Sequence, residues 1–134
     1  MKHLEAIAEH LTLQGLGVFE PNGLGGDIFI DVLPESPDSV IALRTSGGTG
    51  DELAPNWGLD SSFPSVQIIV RSDKMDIRDA QNRAKSIYKA VRRLGLPYDG
   101  GRIFDSVAQY PALLGTDQNG RAEYSINLQL ELNN

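Results

Sequence analysis

The sequence holds no cysteine, one tryptophan and two histidines in 134 residues, and each scarcity removes a class of chemistry. Without thiols there is no disulfide, no cysteine nucleophile and no thiolate for a structural zinc site, which fits a reducing compartment. His3 and His10 stand seven positions apart in one amphipathic stretch. On a helix that is about 10 Å along the axis, too far to share a metal ion, and both are expected on the exposed helix face. Long apolar runs are also missing. The opening MKHLEAIAEHLTL carries Glu5 and Glu9 inside its apolar stretch, so it reads neither as a signal-peptide core nor as a membrane span, and a soluble product made in the cytosol is expected. Positive charge is in deficit as well: 12 Lys and Arg against 18 Asp and Glu give a net charge of −6. A protein that neutralises many phosphates has the opposite balance, so nucleic acid is not the expected main partner.

What is present is an ordinary globular composition in a chain the length of one domain, residues 1–134, with no linker, repeat or low-complexity tract. Residues 2–13 place Leu4, Ile7, Ala8 and Leu11 at helical spacing, and Gly15 and Gly17 end that helix. Residues 27–31 form a short run of strand formers, residues 33–38 a connector with two prolines, and residues 39–45 a second strand that makes a hairpin-like unit with the first. The stretch 46–64 holds glycines and prolines without a sustained period and reads as a long loop. Residues 65–71 alternate as a strand, with Gln67, Ile69 and Arg71 on its second face. From Asp76 to Leu94 the recurrence of Ile77, Ala80, Ala84, Ile87, Val91 and Leu94 marks a second helix, capped by Asp73 or Asp76 and stopped by Gly95 and Pro97. A strand over 102–110, a turn-rich link over 111–120 and a long strand over 121–132 complete the chain. In the last strand Tyr124, Ile126, Leu128, Leu130 and Leu132 point inward against Ser125, Asn127, Gln129 and Glu131. The expected fold is α+β: a mainly antiparallel or mixed sheet of about five strands, with two main helices packed on one face.

The candidate sites dissolve under inspection. Ser46-Gly47-Gly48-Thr49-Gly50 invites a phosphate-cradle reading, but Asp51-Glu52 follows where a P-loop has Lys and a hydroxyl residue. Asp117-Gln118-Asn119-Gly120 lacks the ligand spacing of a calcium loop and reads as a tight turn. Asp27 and Asp31 flank a strand as solvated edge charges, no spacing singles out an acid–base pair, and no cofactor or enzymatic activity is expected. Three features do point to binding, the first being the polar faces that Gln67, Arg71, Asn127, Gln129 and Glu131 give the strand over 65–71 and the last strand, free to meet partners or else solvated as in any one-sided sheet. The second helix carries Arg78, Arg83, Lys85, Lys89, Arg92 and Arg93, a basic face on an acidic molecule that suits an acidic neighbour, or else a plain solvated face. The lone Trp57 lies in the long loop, where it either packs on its own core or anchors a partner.

The phrases Ile28-Phe29-Ile30, Leu33-Pro34, Pro37-Asp38, Ile41-Ala42-Leu43, Gly47-Gly48 and Pro64-Ser65-Val66-Gln67-Ile68 resemble the minor capsid proteins that terminate the tails of long-tailed bacteriophages. Leu114-Gly115, Asn119-Gly120-Arg121 and Tyr124-Ser125-Ile126-Asn127 extend the likeness over nearly the whole chain. The resemblance implies a ring, commonly of six copies, that caps the tail tube, ends its polymerisation and offers a surface to the head connector. It implies a place at the head-proximal end of the virion tail after assembly in the host cytoplasm. On that reading Arg44, Trp57 and Arg71 lie at subunit or tube contacts, joined by Arg78, Lys85 and Arg92 of the basic helix. A head-side completion protein, a small intracellular binding module and a metal-dependent hydrolase are the alternatives.

Overall fold

The computed structural model describes residues 2–22, 24–53, 60–74 and 76–133. The elements run α1 (Lys2–Leu13), β1 (Ile28–Ile30), β2 (Val40–Leu53), β3 (Asp60–Lys74), α2 (Ile77–Val91), β4 (Leu96–Tyr98), β5 (Gly101–Ala108), β6 (Ala112–Thr116) and β7 (Arg121–Asn133). The class is α+β with two helices, and the mixed sheet has seven strands rather than about five.

Both helices form where the apolar period predicts. α1 ends in a Schellman motif: the Leu16 amide donates to the Leu11 carbonyl and the Gly15 amide to that of Thr12, with Gly15 at φ +74°, a conformation cheap only for glycine. The Asp76 carboxylate caps α2 by accepting the Asp79 amide at 3.1 Å. At the other end, buried Ser106 of β5 donates to the Val91 carbonyl and accepts the Leu94 amide, satisfying two backbone groups that the helix leaves open.

The sheet order is β1-β2-β3-β7-β5-β4, with β6 also paired to β7. β7 is the spine: β3 flanks one side and β5 then β6 the other. The residues expected to point inward along β7 do so and are buried, in register with Val66, Ile68 and Val70 of β3 and, beyond them, Ile41 and Leu43 of β2. These residues join the buried stripes of both helices in one hydrophobic cluster.

Four sequence expectations fail. β1 and β2 are parallel, Ile28 opposite Ile41, so residues 31–39 are a crossover and not a hairpin link. The long loop over 46–64 is in large part a ribbon: β2 runs to Leu53 and β3 starts at Asp60. Register shifts after Thr45 and Thr49 let the glycine-rich stretch stay in the ladder. The link over 111–120 contains β6, and residues 117–120 close a tight turn, with Gly120 at φ +79° and its amide on the Asp117 carbonyl. Finally, β4 follows α2 where Gly95 and Pro97 signalled only a stop.

Candidate functional site

The sheet's second face divides into a covered end and an open end. Over the covered end lies the crossover segment, held down by two arginines that alternation would send to solvent. Arg71, 2% exposed, donates through Nε to the Asp38 carbonyl at 2.9 Å, and through Nη2 to those of Pro34 at 2.6 Å and Pro37 at 2.8 Å. Arg121, equally buried, donates to the Glu35 carbonyl at 2.6 Å and ion-pairs with Asp117 at 2.8 Å, Asp38 at 3.1 Å and Glu35 at 3.2 Å. A guanidinium fork suits this task because it offers several donors in a fixed plane. Burial lowers the Arg71 pKa, and the neighbouring Arg121 charge lowers it further. Burial also works against charge at Arg121, but its bond to and attraction for Asp117, helped by Asp38 and Glu35, outweigh it and raise the pKa. The Asp117 carboxyl is held low, first by the Arg121 amide and then by its side chain. Beneath the segment, Ala42, Ile69 and Ser125 are buried.

The open end is polar and nearly neutral. Register sets Arg44, Gln67 and Asn127 in one row across three strands, and Arg44 Nε donates to Gln67 Oε1 at 2.8 Å. In the next row Ser65 donates to Gln129, whose amide donates to the Phe63 carbonyl. A shallow trough of about 350 Å³, lined by Ser46, Ser65, Gln109 and Asn127 among others, runs along it. Such a surface offers hydrogen bonds, and among the described residues no acid–base pair is placed along it.

On α2, two of the six expected basic residues serve the subunit itself. Arg83 bridges Asp27 at 2.7 Å and Ser39 at 2.6 Å, tying the helix to the start of β1, so Asp27 is a half-buried pairing partner and not a solvated edge charge. Arg93 grips Asp105 through two bonds of 2.9 Å and holds that carboxyl below its usual range. Arg78, Lys85, Lys89 and Arg92 fall at heptad-like steps on the side opposite buried Ala80, Ala84, Ile87 and Val91. None of the four makes an ion pair among the described residues. They form a basic line of roughly 20 Å.

The expected contact residues thus separate. Arg44 is exposed in the polar row, and Arg78 and Arg92 are exposed and Lys85 half-buried along α2, whereas Arg71 is enclosed by its own subunit. Trp57 lies outside the described residues. Of the two histidines, His10 is half-buried against the Ala90 carbonyl. His3 corrects the exposed-face expectation: it is buried against Tyr98, its Nε2 has no hydrogen-bond partner among the described residues, and burial lowers its pKa. Among the described residues no group of three or more His, Asp or Glu is placed to hold a metal ion, and no helix is long and apolar enough to cross a membrane.

One further surface feature escaped the sequence reading. Among the described residues eleven large hydrophobics are exposed, and nine of them gather at opposite borders of the sheet. Phe104, Val107, Tyr110, Leu113 and Leu114 lie along β5 and β6, and Val18, Leu24, Val32 and Leu33 lie around β1. The adjacent apolar pairs Ile103-Phe104 and Leu113-Leu114 were a usable signal, since simple alternation buries only one of each.

In sequence, the family model for the bacteriophage tail terminator protein matches residues 10–134. No curated protein matches the chain. Among solved structures, a chain from the "Virion of native gene transfer agent (GTA) particle" superposes with a TM-score of 0.71 at 14% identity, over 99% of this chain and 96% of that one. At this identity the likeness is one of fold.

Proposed function

The chain belongs to the bacteriophage tail terminator family, and from that premise, which makes it a structural protein of the phage virion, we propose that it closes into a ring, expected to hold six copies, on the end of the tail tube. There it ends tube polymerisation and presents the surface that the head connector meets. The observation that carries this reading is the family match from residue 10 to the C-terminal residue, spanning the entire seven-stranded sheet and α2.

The surface chemistry supports it. A ring is built from heterologous contacts, so each subunit needs two different patches that fit each other. An acidic molecule with a line of cations on α2 that make no ion pair among the described residues has the required asymmetry of charge. Arg44, Trp57, Arg78, Lys85 and Arg92 are the proposed contact residues. Arg71 is reassigned to holding the crossover of its own subunit, because its donors already face three carbonyls within 2.9 Å.

Light scattering after size exclusion, over a wide concentration range and then in the presence of purified tail tubes, tests the proposal. A ring in solution or on tube ends is the expected result. A chain that stays monomeric in both settings and leaves tube growth unchanged rejects it in favour of a stand-alone binding module.

A further inference from the structure

The two exposed apolar borders of the sheet differ in shape and in charge, and they differ in a matched way. Along the β5–β6 border the ladder to β7 shifts register between Ile103 and Asp105 and again between Leu113 and Gly115. Phe104 and Leu114 are the extra residues at these two bulges, 58% and 53% exposed. A bulge re-aims a side chain and breaks the even row of backbone donors and acceptors, so this border is fitted for side-chain packing and poorly fitted for adding a strand. Tyr110, between the two bulges, packs edge-on against Tyr88 of α2, which brings the basic helix beside the apolar strip.

The β1 border is concave. Phe19, Ile28, Phe29, Ile30 and Val32 line a groove of about 330 Å³ whose other walls include Glu5 and Glu20. Glu9 lies one helical turn beyond Glu5 on α1. None of these three glutamates makes an ion pair among the described residues. One border is thus a ridge of apolar side chains beside cations, and the other an apolar groove beside anions, with β2, β3 and β7 between them.

Resting on the ring reading above, we propose that the Phe104–Leu114 ridge of one subunit docks into the β1-border groove of a second copy, and that this contact repeats around the ring. Phe104 and Leu114 supply the apolar anchors, while Lys85 and Arg92 face Glu5, Glu9 and Glu20 across the rim. Since ridge and groove sit at opposite borders of one sheet, the contact is heterologous and can propagate until it closes. A patch of this size left open to water in the separated subunit is otherwise an aggregation hazard.

Two variants test it. One carries Phe104→Glu with Leu114→Glu and keeps its groove; the other carries Pro21→Arg with Val32→Arg, two residues of the groove wall, and keeps its ridge. All four positions are exposed, so both variants should melt as the parent does, and a variant that fails to fold is replaced by alanine substitutions at the same positions. Self-association is measured in solution and at tube ends. Each variant alone is expected to lose it by at least about 30-fold, the loss seen when an interface anchor is removed. Mixed one to one, they retain a single intact ridge–groove pair and should give a heterodimer and nothing larger. If either variant still forms the parent's ring, or if the mixture yields no heterodimer, this contact is wrong while the ring reading stands. If the parent chain never assembles in solution or on tubes, the ring reading falls and takes the contact with it.

Discussion

Replacing Arg71 by methionine isolates the work of its guanidinium, because an apolar stem of similar length remains. Three carbonyls, those of Pro34, Pro37 and Asp38, lose a charged donor at 2.6–2.9 Å. The Glu35 carbonyl keeps its bond from Arg121. A hydrogen bond to a charged group contributes about 1.5–3 kcal/mol. Two effects reduce the sum: the exposed segment admits water to the freed carbonyls, and loss of the Arg71 charge relieves its repulsion with Arg121. The net loss is therefore about 2 kcal/mol. At roughly 4 °C per kcal/mol for a domain of this size, the melting temperature falls by about 8 °C. Arg71→Lys should lose nearly as much, since it keeps the charge but not the fork. Thermal unfolding by circular dichroism reads the global effect, and cleavage at Glu35 by a glutamate-specific protease reads opening of the crossover, which should accelerate. A methionine variant within about 0.5 kcal/mol of the parent, with unchanged cleavage, would refute the claim that Arg71 holds the segment down.

Ser106→Ala removes a buried hydroxyl that serves both the Val91 carbonyl and the Leu94 amide, and should cost about 1–3 kcal/mol in a urea titration, with the slope unchanged. Gly15→Ala places a side chain at φ +74° and should cost about 1 kcal/mol by the same measurement. Burial holds the His3 pKa below the ordinary 6.5. The unfolded chain therefore binds the proton more readily, and this part of the stability is present above about pH 6.5 and is lost as pH falls towards the folded value. His3→Phe should flatten the decline in melting temperature between pH 7 and 5, and an unchanged slope would deny His3 that role. Asp99, Asp105 and Asp117 also have lowered pKa values, held by Lys2, Arg93 and Arg121 respectively. Their contribution is lost in a separate window, below the usual carboxylate range. Neutralising Arg78, Lys85 and Arg92 to Gln should leave melting nearly unchanged but weaken assembly and remove most of its salt sensitivity, read by light scattering at two ionic strengths.

The parts legible in the sequence are those with local causes. α1, α2 and β7 each carry an uninterrupted apolar period, so their place and their buried face follow from residues three, four or two positions apart. The β2–β3 ribbon hid because glycines and Pro64 read as punctuation, and only register shifts against a partner strand keep them in the ladder. The parallel β1–β2 pair hid because a nine-residue crossover with two prolines resembles a hairpin link until Arg71 and Arg121, far along the chain, are seen to clasp it. Burial of those two arginines has no local signal at all: alternation puts them on the outward face, and only the carbonyls of residues 34–38 close over them. The basic line of α2 was visible as a set of six, and the structure removes Arg83 and Arg93 by pairing them with Asp27 and Asp105. The ridge at Phe104 and Leu114 depends on two bulges, whose trace in the sequence is the break in alternation at the adjacent apolar pairs Ile103-Phe104 and Leu113-Leu114.

The most direct test of the central claim is tail length in particles assembled without this protein. Lysates from a phage carrying a disrupted copy of the gene, viewed by negative-stain electron microscopy, should hold tubes of irregular and excessive length with no heads joined, and supplying the parent chain should restore one length and joined heads. Tails of normal, uniform length attached to heads in its absence would contradict the account.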